Sequence, residues 1–129
     1  TGGTGLIGVH LVNLLLNEGA DITVVSLDDS NLVPKEVRFI GVDLRERNNC
    51  INVCENVEIV FHLAGVKGSP QMTATQPATF FVPTILFNTN MLEAARLCGV
   101  SKLLYTSTVG VYSPAEVFFE DSVLPLLPI

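Results

Sequence analysis

Three glycines open the chain at a regular spacing, Gly2-x-x-Gly5-x-x-Gly8. Glycine allows positive φ and lets a diphosphate approach the backbone with no Cβ in the way. The N–H groups and dipole of a helix that follows favour that negative charge. Gly8 would let a helix pack closely on a strand. Taken alone, the same spacing fits a tight turn capping a helix. A second piece is Asp28, which ends a β-branched run 20 residues past Gly8. A carboxylate there can accept hydrogen bonds from both ribose hydroxyls of an adenosine, and its charge would repel a 2′-phosphate. NAD is therefore favoured over NADP. Asp29 shares that role or is a solvated turn residue.

Three more clusters follow. Asp43-Leu44 comes after the next apolar run. Its carboxylate could meet an adenine amino group, or it is an ordinary aspartate before a helix. Phe61-His62-Leu63-Ala64-Gly65-Val66-Lys67 ends a further run. Small residues there would let a dinucleotide cross the strand ends, and Lys67 could face a phosphate. His62 lies within a buried strand with no obvious carboxylate partner, so it reads as structural. Tyr105-Thr106-Ser107-Thr108-Val109-Gly110-Val111-Tyr112 is the last cluster. Its hydroxyls could donate to a substrate oxygen; the plainer alternative is a strand rich in β-formers.

These clusters need strands and helices to hold them. Ile7, Leu11, Leu14 and Leu15 repeat at helical spacing, which predicts a helix over 6–17, stopped by Gly19. Strands are expected at 22–27, 37–42, 58–63 and 102–106. Residues 45–56 suggest a short helix, 84–98 a longer one ended by Gly99, and 113 onward a loop. Apolar strands alternating with helices point to a parallel, doubly wound sheet.

Composition agrees. Of 129 residues, 48% are hydrophobic and 16% charged, which suits a sheet buried on both faces. Net charge is −6, the wrong sign for nucleic acid or an anionic membrane. No apolar stretch reaches the roughly 18 residues of a membrane span. Cys50, Cys54 and Cys98 are too few for a disulfide framework. Cys50 and Cys54 could share a helix face, but no Cys or His pair stands ready to complete a metal site. Buried, reduced thiols in a cytoplasmic protein are the expectation.

With its five clusters in this order, the chain resembles the extended short-chain dehydrogenase/reductase family, in its NAD-dependent epimerase/dehydratase branch acting on nucleotide sugars. The carriers are TGGTGLIG at 1–8, Asp28, Asp43-Leu44, FHLAG at 61–65, NMLEAARLCGV at 90–100 and STVGVY at 107–112. The resemblance implies an α/β, Rossmann-type doubly wound parallel sheet. Residues 1–129 would be part of the NAD-binding domain, with the first strand and the C-terminal substrate portion outside them. It implies that Gly2, Gly5, Leu6 and Ile7 lie along the diphosphate, with Gly8 behind them, and that Asp28 holds the ribose. Asp43 and Leu44 would border the adenine, and Leu63, Ala64, Gly65 and Lys67 would line the path to the nicotinamide. Thr108 falls at the catalytic Ser/Thr, where it would hydrogen-bond the reacting sugar oxygen, and Ser107 beside it would face the cofactor. The whole protein would be a homodimer, to which the helix at 84–98 could contribute.

Two departures stand out. Thr84 occupies a position where the family often has Asn. The family's Tyr-x-x-x-Lys is absent: four residues past Tyr105 and Tyr112 stand Val109 and Glu116. That pair, a general base and the cation that lowers its pKa, is expected beyond Ile129, and these 129 residues alone are not expected to turn over. In the family, a sugar carbon is transiently oxidised by hydride transfer, and the keto sugar is then epimerised, dehydrated or reduced again. The alternatives are a non-catalytic redox sensor on the same fold, and an NADPH-dependent carbonyl reductase, against which Asp28 argues. Without a strand ahead of the glycine turn, its neighbours would expose apolar surface, and the isolated chain is expected to be marginally stable.

Overall fold

A computed structural model describes residues 1–108, 117 and 119. The loop expected from 113 onward falls almost wholly outside the described residues, as do Val109 to Tyr112 of the last cluster. Helix α1 spans Leu6–Asn17, strand β1 Thr23–Val25, strand β2 Arg38–Ile40 and helix α2 Arg47–Cys54. Strand β3 spans Ile59–His62, helices α3 and α4 Pro70–Thr75 and Pro77–Leu97, and strand β4 Lys102–Tyr105. A short 3-10 turn, Ser30–Leu32, lies between β1 and β2.

The strands form two parallel pairs, β1 with β2 and β3 with β4. Residues 1 and 2 lie between the pairs. The Thr1 nitrogen donates to the Phe61 carbonyl at 2.7 Å, Leu63 N–H to the Thr1 carbonyl at 3.2 Å, and Gly2 N–H to the Val25 carbonyl at 3.0 Å. The order across the molecule is thus β2, β1, residues 1–2, β3, β4. From residues 1–2 the chain moves outward first to one side and then to the other. Such a reversal opens a crevice at the strand C-termini.

Neighbouring residues of β1 serve opposite faces. Val24 packs with Val12 of α1 and Val37 on one side. Val25 packs on the other with Leu44, Cys50 and Cys54 of the α2 region, Val60, and Phe87, Met91, Ala94 and Ala95 of α4. Helices therefore cover the sheet on both faces, as a parallel sheet requires. Helices α1 and α4 end alike. Gly19 and Gly99 take φ of 79° and 71°, and the next residue's N–H reaches back to Leu15 and Ala95 at 3.0 and 2.9 Å. This is the glycine stop that satisfies the last helical carbonyls.

The helices of the second half differ most from expectation. The long helix begins at Pro77, not at 84, and runs through Pro83. Proline inside a helix removes one hydrogen bond and crowds the preceding turn, so Pro83 reads as a boundary in sequence; here α4 continues across it. Helix α3, six residues long, adds an element that the sequence pattern does not mark. Ser69 caps that helix by accepting from Met72 N–H at 3.2 Å.

Candidate functional site

The crevice is a cleft of about 660 Å³ above residues 1–2. One wall is the turn with Gly2, Gly5 and Leu6; another is the end of β1 through Asp28. Asp43, Leu44 and Arg45 follow β2, and residues 63–67 follow β3. Helix α4 contributes Thr79, Pro83 and Phe87, spaced four apart on one helix face.

The turn has the geometry of a phosphate cradle. Gly2 has φ of 68°, and a Cβ there would sit 2.8 Å from the backbone of Leu63 and Ala64. A Cβ on Gly8 would lie 2.2 Å from the Gly2 carbonyl and 2.6 Å from the Gly3 Cα. Gly8 therefore lets α1 start directly against the turn. No acidic residue stands in the first turn of α1, so the helix brings no negative charge of its own to offset its positive end.

Asp28 draws its partners from three separate segments of the chain. Its carboxylate accepts from Lys67 Nζ at 2.8 and 2.9 Å and from Thr4 Oγ1 at 2.7 Å. The Asp28 N–H donates to Ser26 Oγ at 3.1 Å, and Ser26 Oγ lies 2.9 Å from Thr4 Oγ1. The Lys67 contact, then the Thr4 hydroxyl, holds the Asp28 pKa below its ordinary value. Asp43 is likewise held low, by the Arg45 guanidinium, whose Nε donates at 2.8 and 3.0 Å. Asp43 does not cap α2, whose N-cap is Glu46; it closes a local turn by accepting from Arg45 N–H at 2.9 Å.

Ten of the residues singled out from sequence line this cleft: Gly2, Gly5, Leu6, Asp28, Asp43, Leu44, Leu63, Ala64, Gly65 and Lys67. Four do not. Gly8 is buried behind the turn, Ile7 faces outward on α1, and Ser107 and Thr108 are exposed beyond the end of β4. Asp29 accepts from Asn31 N–H and caps the short 3-10 turn. The hydroxyl of Thr84 donates to the Phe80 carbonyl within its own helix. Thr4, Ser26 and Arg45 escaped the sequence reading. Thr4 and Ser26 matter only through Asp28, and the position of Thr4 inside the glycine turn was the available signal.

His62 is completely buried below the cleft. Its Nε2 meets Asn88 Oδ1 at 2.9 Å and its Nδ1 meets Thr1 Oγ1 at 2.6 Å. Asn88 Nδ2 donates to Tyr105 Oη at 3.0 Å, so Asn88 Oδ1 is the acceptor for His62 Nε2–H. His62 Nδ1 then accepts from the Thr1 hydroxyl, which itself accepts from Ala64 N–H at 3.3 Å. Burial lowers the His62 pKa and keeps the ring neutral. The chain of bonds ties β3, α4 and β4 to the glycine turn.

Cys50 and Cys54 lie at the bottom of the core, fully buried. Cys50 Sγ donates to the Leu44 carbonyl at 3.0 Å. Among the described residues, no cluster of three or more His, Cys, Asp or Glu could hold a metal ion. No helix among them is long and apolar enough to cross a membrane.

A sheet order that reverses over a glycine turn, with an acid at the end of the next strand, defines a Rossmann-type dinucleotide-binding fold. Residues 1–128 match the family model described as the NAD dependent epimerase/dehydratase family, and the chain belongs to that family. NAD is its cofactor, and the glycine turn offers the close backbone approach that a diphosphate needs. Over 115 residues the chain is 31% identical to GDP-mannose 3,5-epimerase 1 of Oryza sativa subsp. indica, a match that takes in 87% of this chain and 30% of that protein. It is 31% identical over 110 residues to human sterol-4-alpha-carboxylate 3-dehydrogenase, decarboxylating, covering 85% and 28% of the two chains. The crystal structure of the Thermus thermophilus UDP-glucose 4-epimerase complexed with NAD superposes with a TM-score of 0.80 at 31% identity, over 93% of this chain and 41% of that one. The chain thus spans well under half the length of these proteins.

Proposed function

We propose that residues 1–129 are the cofactor-binding part of an NAD-dependent epimerase or dehydratase that acts on a nucleotide sugar by transient hydride transfer. The observation that carries this reading is the convergence of the glycine turn, Asp28, Asp43 and residues 63–67 on one cleft at the strand C-termini. The turn and the start of α1 bind the diphosphate, Asp28 the adenosine ribose, and Leu44 borders the adenine beside Asp43, whose carboxylate accepts from the adenine amino group only where Arg45 gives up one of its contacts. Leu63, Ala64 and Gly65 form the floor that leads toward the end of β4. When bound, NAD supplies the hydride acceptor. Thr108, three residues past β4, hydrogen-bonds the sugar oxygen, with Ser107 on the cofactor side. Orientation and electrostatics are the protein's share of such chemistry.

The relatives support the nucleotide-sugar substrate class through GDP-mannose 3,5-epimerase and UDP-glucose 4-epimerase. The test is to give the full-length protein NAD⁺ and then UDP-glucose or GDP-mannose, and to follow reduced-nicotinamide fluorescence and sugar products by NMR. Conversion of either sugar supports the proposal; binding of NAD⁺ with no reaction on a panel of nucleotide sugars contradicts it. The likeness to the sterol dehydrogenase favours a second reading, oxidation of a hydroxyl on a non-sugar substrate, and a sterol carboxylate in the same assay separates the two.

A homodimer is also proposed. The face of α4 that carries Phe81, Val82, Ile85 and Leu86 is exposed, with 66% of Phe81 accessible. An apolar helical stripe of that kind marks an association surface. Sedimentation of the full-length protein tests it, and a monomer at micromolar concentration would rule it out.

A further inference from the structure

The Asp28–Lys67 pair lies where the proposed ribose site is, and the two arrangements exclude each other. A carboxylate offers about four lone-pair sites, two on each oxygen. On Asp28, Oδ2 already accepts from Lys67 Nζ and from Thr4 Oγ1, and Oδ1 accepts from Lys67 Nζ. A ribose diol gripping the carboxylate in a fork needs one site on each oxygen. Oδ1 has one to give; Oδ2 has none. Thr4 is held in place by its second contact, to Ser26. Lys67 is the more exposed partner, with 78% of its side chain accessible on a stem from the segment after β3. Both residues line the cleft that also holds Gly2 and Gly5.

We propose that Lys67 is a transferable counter-ion that makes this site select nucleotides over nucleosides. A ligand with a ribose diol displaces the ammonium from Asp28. If the ligand also carries a diphosphate, the ammonium regains an anionic partner on the same side of the cleft. A nucleoside displaces it and returns nothing. Lys67 would then oppose binding of the ribose by itself and favour binding of the diphosphate, two effects of opposite sign from one side chain. This rests on the placement of the adenosine ribose at Asp28.

Adenosine and ADP separate the two effects, each titrated against NAD⁺ by competition calorimetry in the full-length protein. Lys67→Met should bind adenosine about 2- to 5-fold more tightly, the scale of an exposed ion pair. It should bind ADP at least about 3-fold more weakly, the scale of a lost charge-assisted bond less the ion pair that no longer has to be broken. Lys67→Arg, which keeps the charge, should leave adenosine weak. Raising potassium chloride should strengthen adenosine binding to the unsubstituted protein and leave that of Lys67→Met unchanged, because salt screens the exposed pair. Adenosine binding that weakens or stays the same in Lys67→Met overturns the proposal while the cofactor site stands. An unsubstituted protein that binds neither NAD⁺ nor ADP overturns the site reading and this proposal with it.

Discussion

The imidazole of His62 and the carboxamide of Asn88 meet at 2.9 Å in a part of the structure where His62 has no accessible surface. Twenty-six residues apart, they join the strand that ends under the cleft to the helix that walls it. Each end of the contact is committed elsewhere, Asn88 to Tyr105 and His62 to Thr1. The rings add packing: His62 stacks on Tyr105 at 5.9 Å and meets Phe87 edge-on at 5.8 Å. A buried polar chain in which every member is satisfied rigidifies its surroundings, and a broken one is costly.

His62→Phe keeps the volume and the ring contacts but deletes both hydrogen bonds. Asn88 Oδ1 and the Thr1 hydroxyl then lose their buried partner. Urea unfolding should show a loss of about 2–4 kcal/mol. Tyr105→Phe removes only the exposed end of the chain and should cost about 1 kcal/mol or less. Equal losses in the two variants would mean that the relay is not the unit of stability.

The thiols of Cys50 and Cys54 give a second prediction. Burial, reinforced by neighbouring thiols, pushes both pKa values up from 9.0 to about 11. The thiolate is the reactive form. At pH 8 only about one thiol in a thousand would be ionised in the folded chain. Disulfide-exchange reagents should label both residues only after unfolding. The sign for stability follows from the raised values. The folded chain keeps protons that the unfolded chain gives up, so the contribution is full below about pH 9 and lost as pH rises to about 11. A melting temperature that holds from pH 8 to 10.5 would contradict this.

Local pattern carried some of this structure and not the rest. The spacing of Ile7, Leu11, Leu14 and Leu15 yields the bounds of α1 that the structure shows, Leu6–Asn17. The strands expected at 22–27 and 37–42 shrink to three residues each, because only Thr23–Val25 and Arg38–Ile40 form a regular ladder. Single bonds from Arg38 N–H to Ile22 and from Ser26 N–H to Ile40 continue the pairing at either end. Pro83 hid the first turns of α4, since a proline rule cannot tell a helix start from a helix that runs on. In the site, residue types marked Asp28 and the glycine turn. The partners of Asp28, His62 and Asn90 were not legible. Lys67 comes from 39 residues away, Asn88 from 26, and Asn90 reaches the carbonyls of Leu44 and Arg45 across more than forty. Such contacts follow from topology, not from neighbours in the chain.

Asp28→Asn probes the ribose site directly. The amide keeps one acceptor and loses the charge, so NAD⁺ should bind roughly 10- to 100-fold more weakly, the scale of a hydrogen bond to a charged group. The ratio of NADP⁺ to NAD⁺ affinity should rise, because the repulsion of a 2′-phosphate is gone. The Lys67 contact keeps the Asp28 pKa below its ordinary 3.8. The carboxylate's contribution is then present above that value and lost only as pH falls through the lower, folded one. NAD⁺ affinity should be flat from pH 7 to 5. A decline centred near pH 5 would assign the grip to another group.

Gly8 and Gly65 should separate the frame of the site from its lining. At Gly8 an added Cβ would run into the Gly2 carbonyl at 2.2 Å and the Gly3 backbone at 2.6 Å. Backbone cannot step aside as a side chain can, so Gly8→Ala must push α1 away from the turn. Both the melting temperature and NAD⁺ binding should fall, the latter below detection. At Gly65 an added Cβ meets nothing within 4 Å. Gly65→Ala should therefore leave the melting temperature within about 2 °C of the unsubstituted value, as an unstrained surface change does. Gly65 lines the cleft, so the methyl would stand in the space assigned to the cofactor and should weaken NAD⁺ roughly 5-fold or more, the scale of a small steric shift. Unchanged NAD⁺ affinity in Gly65→Ala would move the cofactor's path away from residues 63–67, while leaving the glycine turn and Asp28 where they are.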